Sequence, residues 1–165
     1  MYIAGIKADR VRTSSEGPEV TVGTLGYEVT SSGPKAYVYV QDNGSGITGA
    51  GYVALIDGSA HTAVMATTTT SAPGTGAQKQ VGVATAAIAA SGYGWLQVYG
   101  PCVIRVSASC AAYTIMNTTA TAGQLDDDAT AGAEVIDGAS LDVANGGGAG
   151  TVAGFLNWPT VGRTL

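Results

Sequence analysis

A chain of 165 residues is the size of one domain and buries roughly 70% of its unfolded surface on folding, so it needs no metal or disulfide framework. Its seven Lys and Arg are scattered and its net charge is −5, which argues against nucleic-acid binding as its main task. Only 12% of residues are charged and 25 are glycine, so the surface is mostly Ser, Thr, Ala and Gly, poorly defended against association and suited to life in an assembly. With no signal-like start and no run of 18 apolar residues, the chain is expected to be made in a cytoplasm, without export by a signal-peptide route and without membrane insertion.

The first 35 residues are broken by "SSEGPE" and "SSGPK" and have no long apolar period; they read as an extended arm with one strand in "VTVGTLGYEV". Lys7, Arg10 and Arg12 in "IKADRVR" are the one local excess of cations. Such an arm is expected to order itself on an acidic partner surface. Its cations would set orientation and rate, while Tyr2, Ile3, Ile6 and Val11 would hold it by apolar burial.

A domain of residues 36–165 follows. "AYVYVQ" (36–41) is a predicted strand with Tyr37 and Tyr39 on one face and Val38 and Val40 on the other. "GYVALI" (51–56) and "HTAVMA" (61–66) flank "DGSA", a hairpin signal in which Gly58 would supply a positive φ. Residues 67–78 read as a loop, and 79–90 as a strand whose second half is either strand or a short helical turn. In "GYGWLQVYG" (92–100), Tyr93, Trp95, Gln97 and Tyr99 share one face and Leu96 and Val98 the other. Both faces are apolar or aromatic, so something must cover the second: Tyr93, Trp95 and Tyr99 belong to the core or to a contact between subunits. Gly100 and Pro101 mark a turn, and 102–110 returns as the second arm of a hairpin.

From Cys102 to Cys110 apolar and polar residues alternate, placing both cysteines on one face of a single strand. Its ends would lie about 26 Å apart at roughly 3.3 Å per residue, beyond the ~7 Å that a disulfide spans. Both thiols are therefore expected free and buried. "AAYTIMNTTA" (111–120) reads as a strand. "ATAGQLDDD" (120–128) and "ATAGAEVID" (129–137) form a two-copy echo, too few for a solenoid, and a glycine-rich loop joins two short strands near the C-terminus. Many short strands with Gly-rich turns predict an all-β fold, a single-domain β-barrel or β-sandwich with an extended N-terminal arm.

Chemistry is sparse. His61 is the only histidine and begins a strand beside a turn, with no nucleophile near it in sequence. Asp126, Asp127, Asp128, Glu134 and Asp137 lack the alternating spacing of a calcium loop and read as a solvated turn. "NGGGAG" and "GAGTVAG" lack the Lys-Ser/Thr of a phosphate cradle. A hydrolase would need carboxylates spaced across a cleft, and the dense acidic group lies in one loop. The expectation is a non-enzymatic protein with no catalytic residue, metal or cofactor.

The order "VGVATAAIAASGYGWLQVYGPCVIRVSASC", then "TTATAGQLDDDAT", then "GTVAGFLNWP" resembles small head proteins of tailed bacteriophages, and among them is most similar to capsid decoration, or cement, proteins. The likeness spans residues 36–165; the arm has no counterpart. It implies a β-rich homo-oligomer, often a trimer, bound to the major capsid protein on the outside of the virion and locking neighbouring capsomers together. It carries over no catalytic residues. A tail-fibre or other host-recognition module shares the composition, but no repeated stalk pattern is present.

Overall fold

The computed structural model describes residues 2–75 and 78–165, and of residues 2–4, 78 and 79 only the backbone. These residues form strands β1 Tyr2–Ala4, β2 Leu25–Thr30, β3 Gly33–Asp42, β4 Val53–Asp57, β5 Thr62–Met65, β6 Gln78–Ala84, β7 Tyr93–Val106, β8 Met116–Thr118, β9 Leu125–Asp126, β10 Glu134–Leu141 and β11 Gly150–Thr164, with one short helix, α1 Thr68–Ser71. All join one sheet in the order β1-β2-β3-β5-β4-β6-β11-β10-β8-β9-β7, and β7 closes it by pairing also with β3, β6 and β11. The fold is all-β, a single sheet rolled into a barrel-like sandwich, as the strand pattern predicts.

Strands that are apolar on both faces separate two cores. Val53 and Leu55 of β4 join Val81, Val83, Ile104, Val106, Ile136, Leu141 and Leu156. Ala54 and Ile56 turn the other way, onto Val38, Val40, Leu96 and Val98. All four β4 side chains are fully buried, and a Val, Leu or Ile so placed contributes about 1.5–3 kcal/mol.

A third cluster, Tyr37, Tyr39 and Trp95, lies outside β3 and the first half of β7 and is covered by Ile6, Ala8, Val20 and Val22. This corrects the expectation that the arm orders only on a partner: the chain's own aromatic face supplies the surface. Its backbone is pinned there, Arg12 N donating to Tyr93 O (2.9 Å), Tyr93 N to Arg12 O (2.8 Å) and Gly23 N to Tyr39 O (2.7 Å). Residue 35 lies within β3, whose hairpin with β2 starts at the Thr30–Gly33 pair.

The predicted hairpin at Gly100–Pro101 is instead one continuous bent strand. β7 pairs with β3 up to Tyr99 and with β11 from Tyr99 onward, and Gly100, at φ 95°, makes the bend. The buried Gln97 secures it, Nε2 donating to the carbonyls of Tyr99 (3.0 Å) and Pro101 (2.9 Å) and lying 3.2 Å from that of Gly100. Because the strand stops at Val106, the alternation fails at exposed Ala108; Cys110 is buried, Cys102 is half-buried, and both are free. Of 111–120 only Met116–Thr118 is strand, and Thr67 and Thr70 cap the helix α1 inside the expected loop through a reciprocal capping box. At the "DGSA" turn the positive φ belongs to the residue that follows it, His61 (52°), not to Gly58. There Asp57 Oδ1 shapes the turn instead, accepting from Ser59 N (2.7 Å) and Ala60 N (2.8 Å).

The two-copy echo is part of a device used five times among the described residues. In each, a residue's N–H bonds the carbonyl three positions back, the residue before it is left-handed, and a strand begins immediately after. The bonds are Thr24 N to Thr21 O (3.1 Å), Tyr52 N to Gly49 O (3.4 Å), Gly92 N to Ala89 O (2.8 Å), Gln124 N to Thr121 O (3.3 Å) and Ala133 N to Thr130 O (3.0 Å). The left-handed residues are Gly23, Gly51, Ser91, Gly123 and Gly132, and the strands launched are β2, β4, β7, β9 and β10.

Candidate interaction surface

The structure divides the three aromatics that the sequence groups together. Tyr93 and Trp95 lie under the arm: Trp95 is 4% exposed, its ring 4.9 Å from that of Tyr39, which in turn stacks 6.3 Å from Tyr93. Tyr39 Oη accepts from Glu19 N (3.1 Å), and burial raises the pKa of Tyr39. Tyr37 donates to Glu28 Oε2 (3.0 Å); burial first, then that carboxylate, raises its pKa. Tyr99 leaves this face. A bulge opposite Ala36–Tyr37 puts one extra residue into β7, so that Tyr99 packs beside Leu96 and Val98 rather than Trp95.

Tyr99 is thereby brought to an outer aromatic set, with Phe155 edge-on at 5.6 Å and Trp158 at 6.3 Å. Trp158 is 40% exposed and has a φ of 49°, unusual for so large a side chain. A second bulge causes it: β10 and β11 shift register between Asp137 and Ala139, and left-handed Gly138 fits because a Cβ there would come 2.6 Å from Asn157 O. On the neighbouring strands Tyr27 pairs with Ala36 and Ala36 with Tyr99, so small Ala36 separates two tyrosines in one cross-strand row. Val29, two residues beyond Tyr27, is the most exposed large apolar side chain among the described residues. "GFLNWP" holds the signal for this set, but the bulge that turns Trp158 outward is not readable from alternation.

The arm's charges balance locally, since Lys7, Arg10 and Arg12 are matched in number by Asp9, Glu16 and Glu19. Arg10 pairs with Glu19 at 2.8 Å, Arg12 is half-buried, Lys7 and Val11 are exposed, and Ile6 packs under the arm. The side chains of Tyr2 and Ile3 lie outside the described residues.

Of the acidic group, Asp126 and Asp127 approach Cys110, all three ligand atoms lying within 4.8 Å of one another. These oxygens serve the turn: Asp126 Oδ1 accepts from Asp127 N (2.9 Å) and the Cys110 thiol (3.5 Å), and Asp127 Oδ2 from Ala111 N (2.8 Å). Buried Glu134 accepts from the Thr164 hydroxyl (2.7 Å), and Asp137 is exposed beside Gly162, so the five do not converge. The His61 ring lies against Gly23. In the glycine-rich loop Asn145 Nδ2 donates to Ser107 O (2.6 Å) and Gly148 O (3.0 Å). No protein-family model matches this chain, and no curated protein matches it.

Proposed function

We propose that the protein is a structural subunit of a tailed-bacteriophage virion, a decoration or cement protein that binds the outer surface of the head as a homo-oligomer, a trimer, and stabilises contacts between capsomers. The observation that carries this reading is the outer aromatic set of Tyr99, Phe155 and Trp158, continued by Tyr27 and Val29, on a surface with few charges. Partly exposed Trp and Tyr set on rigid strands are the usual anchors of protein contacts. A charge-poor β domain with two apolar cores also suits a part that must withstand strain rather than turn over a substrate. Imaging of purified virions, with and without the gene, tests the reading. Density outside the shell is expected only when the gene is present, and heads without the protein are expected to rupture at a lower temperature. Finding the protein in the tail, or heads of equal strength, would overturn it.

A further inference from the structure

A second apolar group stands apart from the aromatic set. Tyr113, Ile115 and Val143 are 79%, 64% and 57% exposed. They occupy two loops held side by side: Tyr113 N donates to Leu141 O (3.0 Å), Asn145 N to Cys110 O (2.8 Å) and Ser109 N to Gly147 O (3.2 Å). Ser109 and Tyr113 both have left-handed backbone, at φ 63° and 59°, a conformation that a side chain with a Cβ holds only where its surroundings fix it. Three backbone hydrogen bonds hold the two loops to one another, and a face ordered in advance binds at a lower entropic cost.

The charged residues within these loops, or tied to them by a hydrogen bond, are carboxylates. Asp127 is tied to the 111–113 turn through Ala111 N (2.8 Å), Asp128 follows it exposed, and exposed Asp142 lies between Leu141 and Val143. Residues 106–162 contain six carboxylates and neither Lys nor Arg, whereas residues 1–105 contain six of each sign. An apolar centre with a charged rim is the plan of a protein contact, and a rim of one sign selects a partner of the other.

We propose that Tyr113, Ile115 and Val143, rimmed by Asp127, Asp128 and Asp142, form the face that docks on the shell, and that the shell surface it meets is an apolar recess bordered by Lys or Arg. The proposal rests on the reading of the chain as a shell-binding subunit and moves attachment from the arm to these loops.

The test is binding to heads assembled without the protein, comparing wild type with Y113S/I115S/V143S, with D127N/D128N/D142N, and with Tyr113→Asn, which suits left-handed backbone and so spares the fold. The apolar triple variant is expected to bind at least 100-fold more weakly and Tyr113→Asn about 10-fold, with oligomer mass and circular dichroism unchanged. The charge variant should associate more slowly and lose the salt dependence of that step. If wild type binds and Tyr113→Asn and the apolar variant bind equally well, this assignment is overturned while the function stands. A change of oligomer mass in the variants would make the knuckle a contact between copies, which also overturns it. Failure of wild type to bind would overturn the functional reading and the docking face together.

Discussion

Gly100 and Gly58 were both marked by sequence as turn glycines, and the fold gives them opposite weight. At Gly100 the backbone is left-handed and a Cβ would run into the carbonyl of Pro34. Gly100→Ala is expected to cost more than about 4 kcal/mol or to abolish folding. Gly58 has open space around it and no positive φ, so Gly58→Ala should leave stability within about 1 kcal/mol of wild type or raise it slightly; urea midpoints of the two variants check both. Gln97→Leu removes the donor from the carbonyls at the bend, and about 1–3 kcal/mol should be lost. The thiols give a pH dependence. Burial pushes Cys102 and Cys110 up to about 12, above the ~8.5 of a free thiol, so the unfolded chain gives up these protons first. Their contribution is fully present below pH ~8.5 and is lost as pH rises towards 12. Stability should therefore fall over that window, and less steeply in C102A/C110A, as alkaline denaturant titrations would show.

Among the elements, the arm and β7 depart most from what the sequence suggested, each for a physical reason. The arm has no apolar period of its own because Ile6, Ala8, Val20 and Val22 come from separated positions to cover one aromatic surface. Periodicity reports residues that share a face of one element, not residues that converge from a loop. Deleting residues 1–24 should uncover Tyr37, Tyr39 and Trp95, lower stability by about 3 kcal/mol or more, and raise binding of an apolar dye; equal stability of the truncated chain would mean that the arm covers nothing in solution. The predicted strands at 36–41, 51–56 and 61–66 match β3, β4 and β5 closely because each is a short apolar run bounded by turn residues. β7 departs from the predicted hairpin where a bulge and a bend interrupt the period, and that is also where Tyr99 changes face. The knuckle was hidden for a related reason: Tyr113 and Ile115 read as strand residues until the backbone turned left-handed at Tyr113. Composition made the all-β class legible, but the surface that presents Trp158 depends on register, which alternation alone does not fix.

For the molecule as a whole, the two tryptophans separate folding from assembly. Trp95 is covered by the chain's own arm and needs no second copy, whereas Trp158 stands partly exposed beside Tyr99 and Phe155. If Tyr27, Val29, Tyr99 and Trp158 face a neighbouring subunit, association must bury Trp158 and leave Trp95 as it was. Light scattering of the purified protein should then give the mass of a trimer. In a Trp95→Phe variant, where Trp158 alone emits, acrylamide quenching should weaken several-fold as concentration carries the protein from monomer to trimer. In Trp158→Phe the quenching of Trp95 should be weak at every concentration. Substituting Tyr99 and Trp158 together by Ser should yield a monomer that is folded but less stable, because Trp158 packs on neither core and Tyr99, partly buried, packs only against the outside of the core that holds Ala54 and Ile56; the exposed rim of a contact contributes little, and its aromatic centre carries most of the affinity. A trimer that survives this double substitution, together with quenching of Trp158 in Trp95→Phe that does not change with concentration, would remove the aromatic set from the subunit contact and leave association to another exposed apolar face, such as the Tyr113 knuckle.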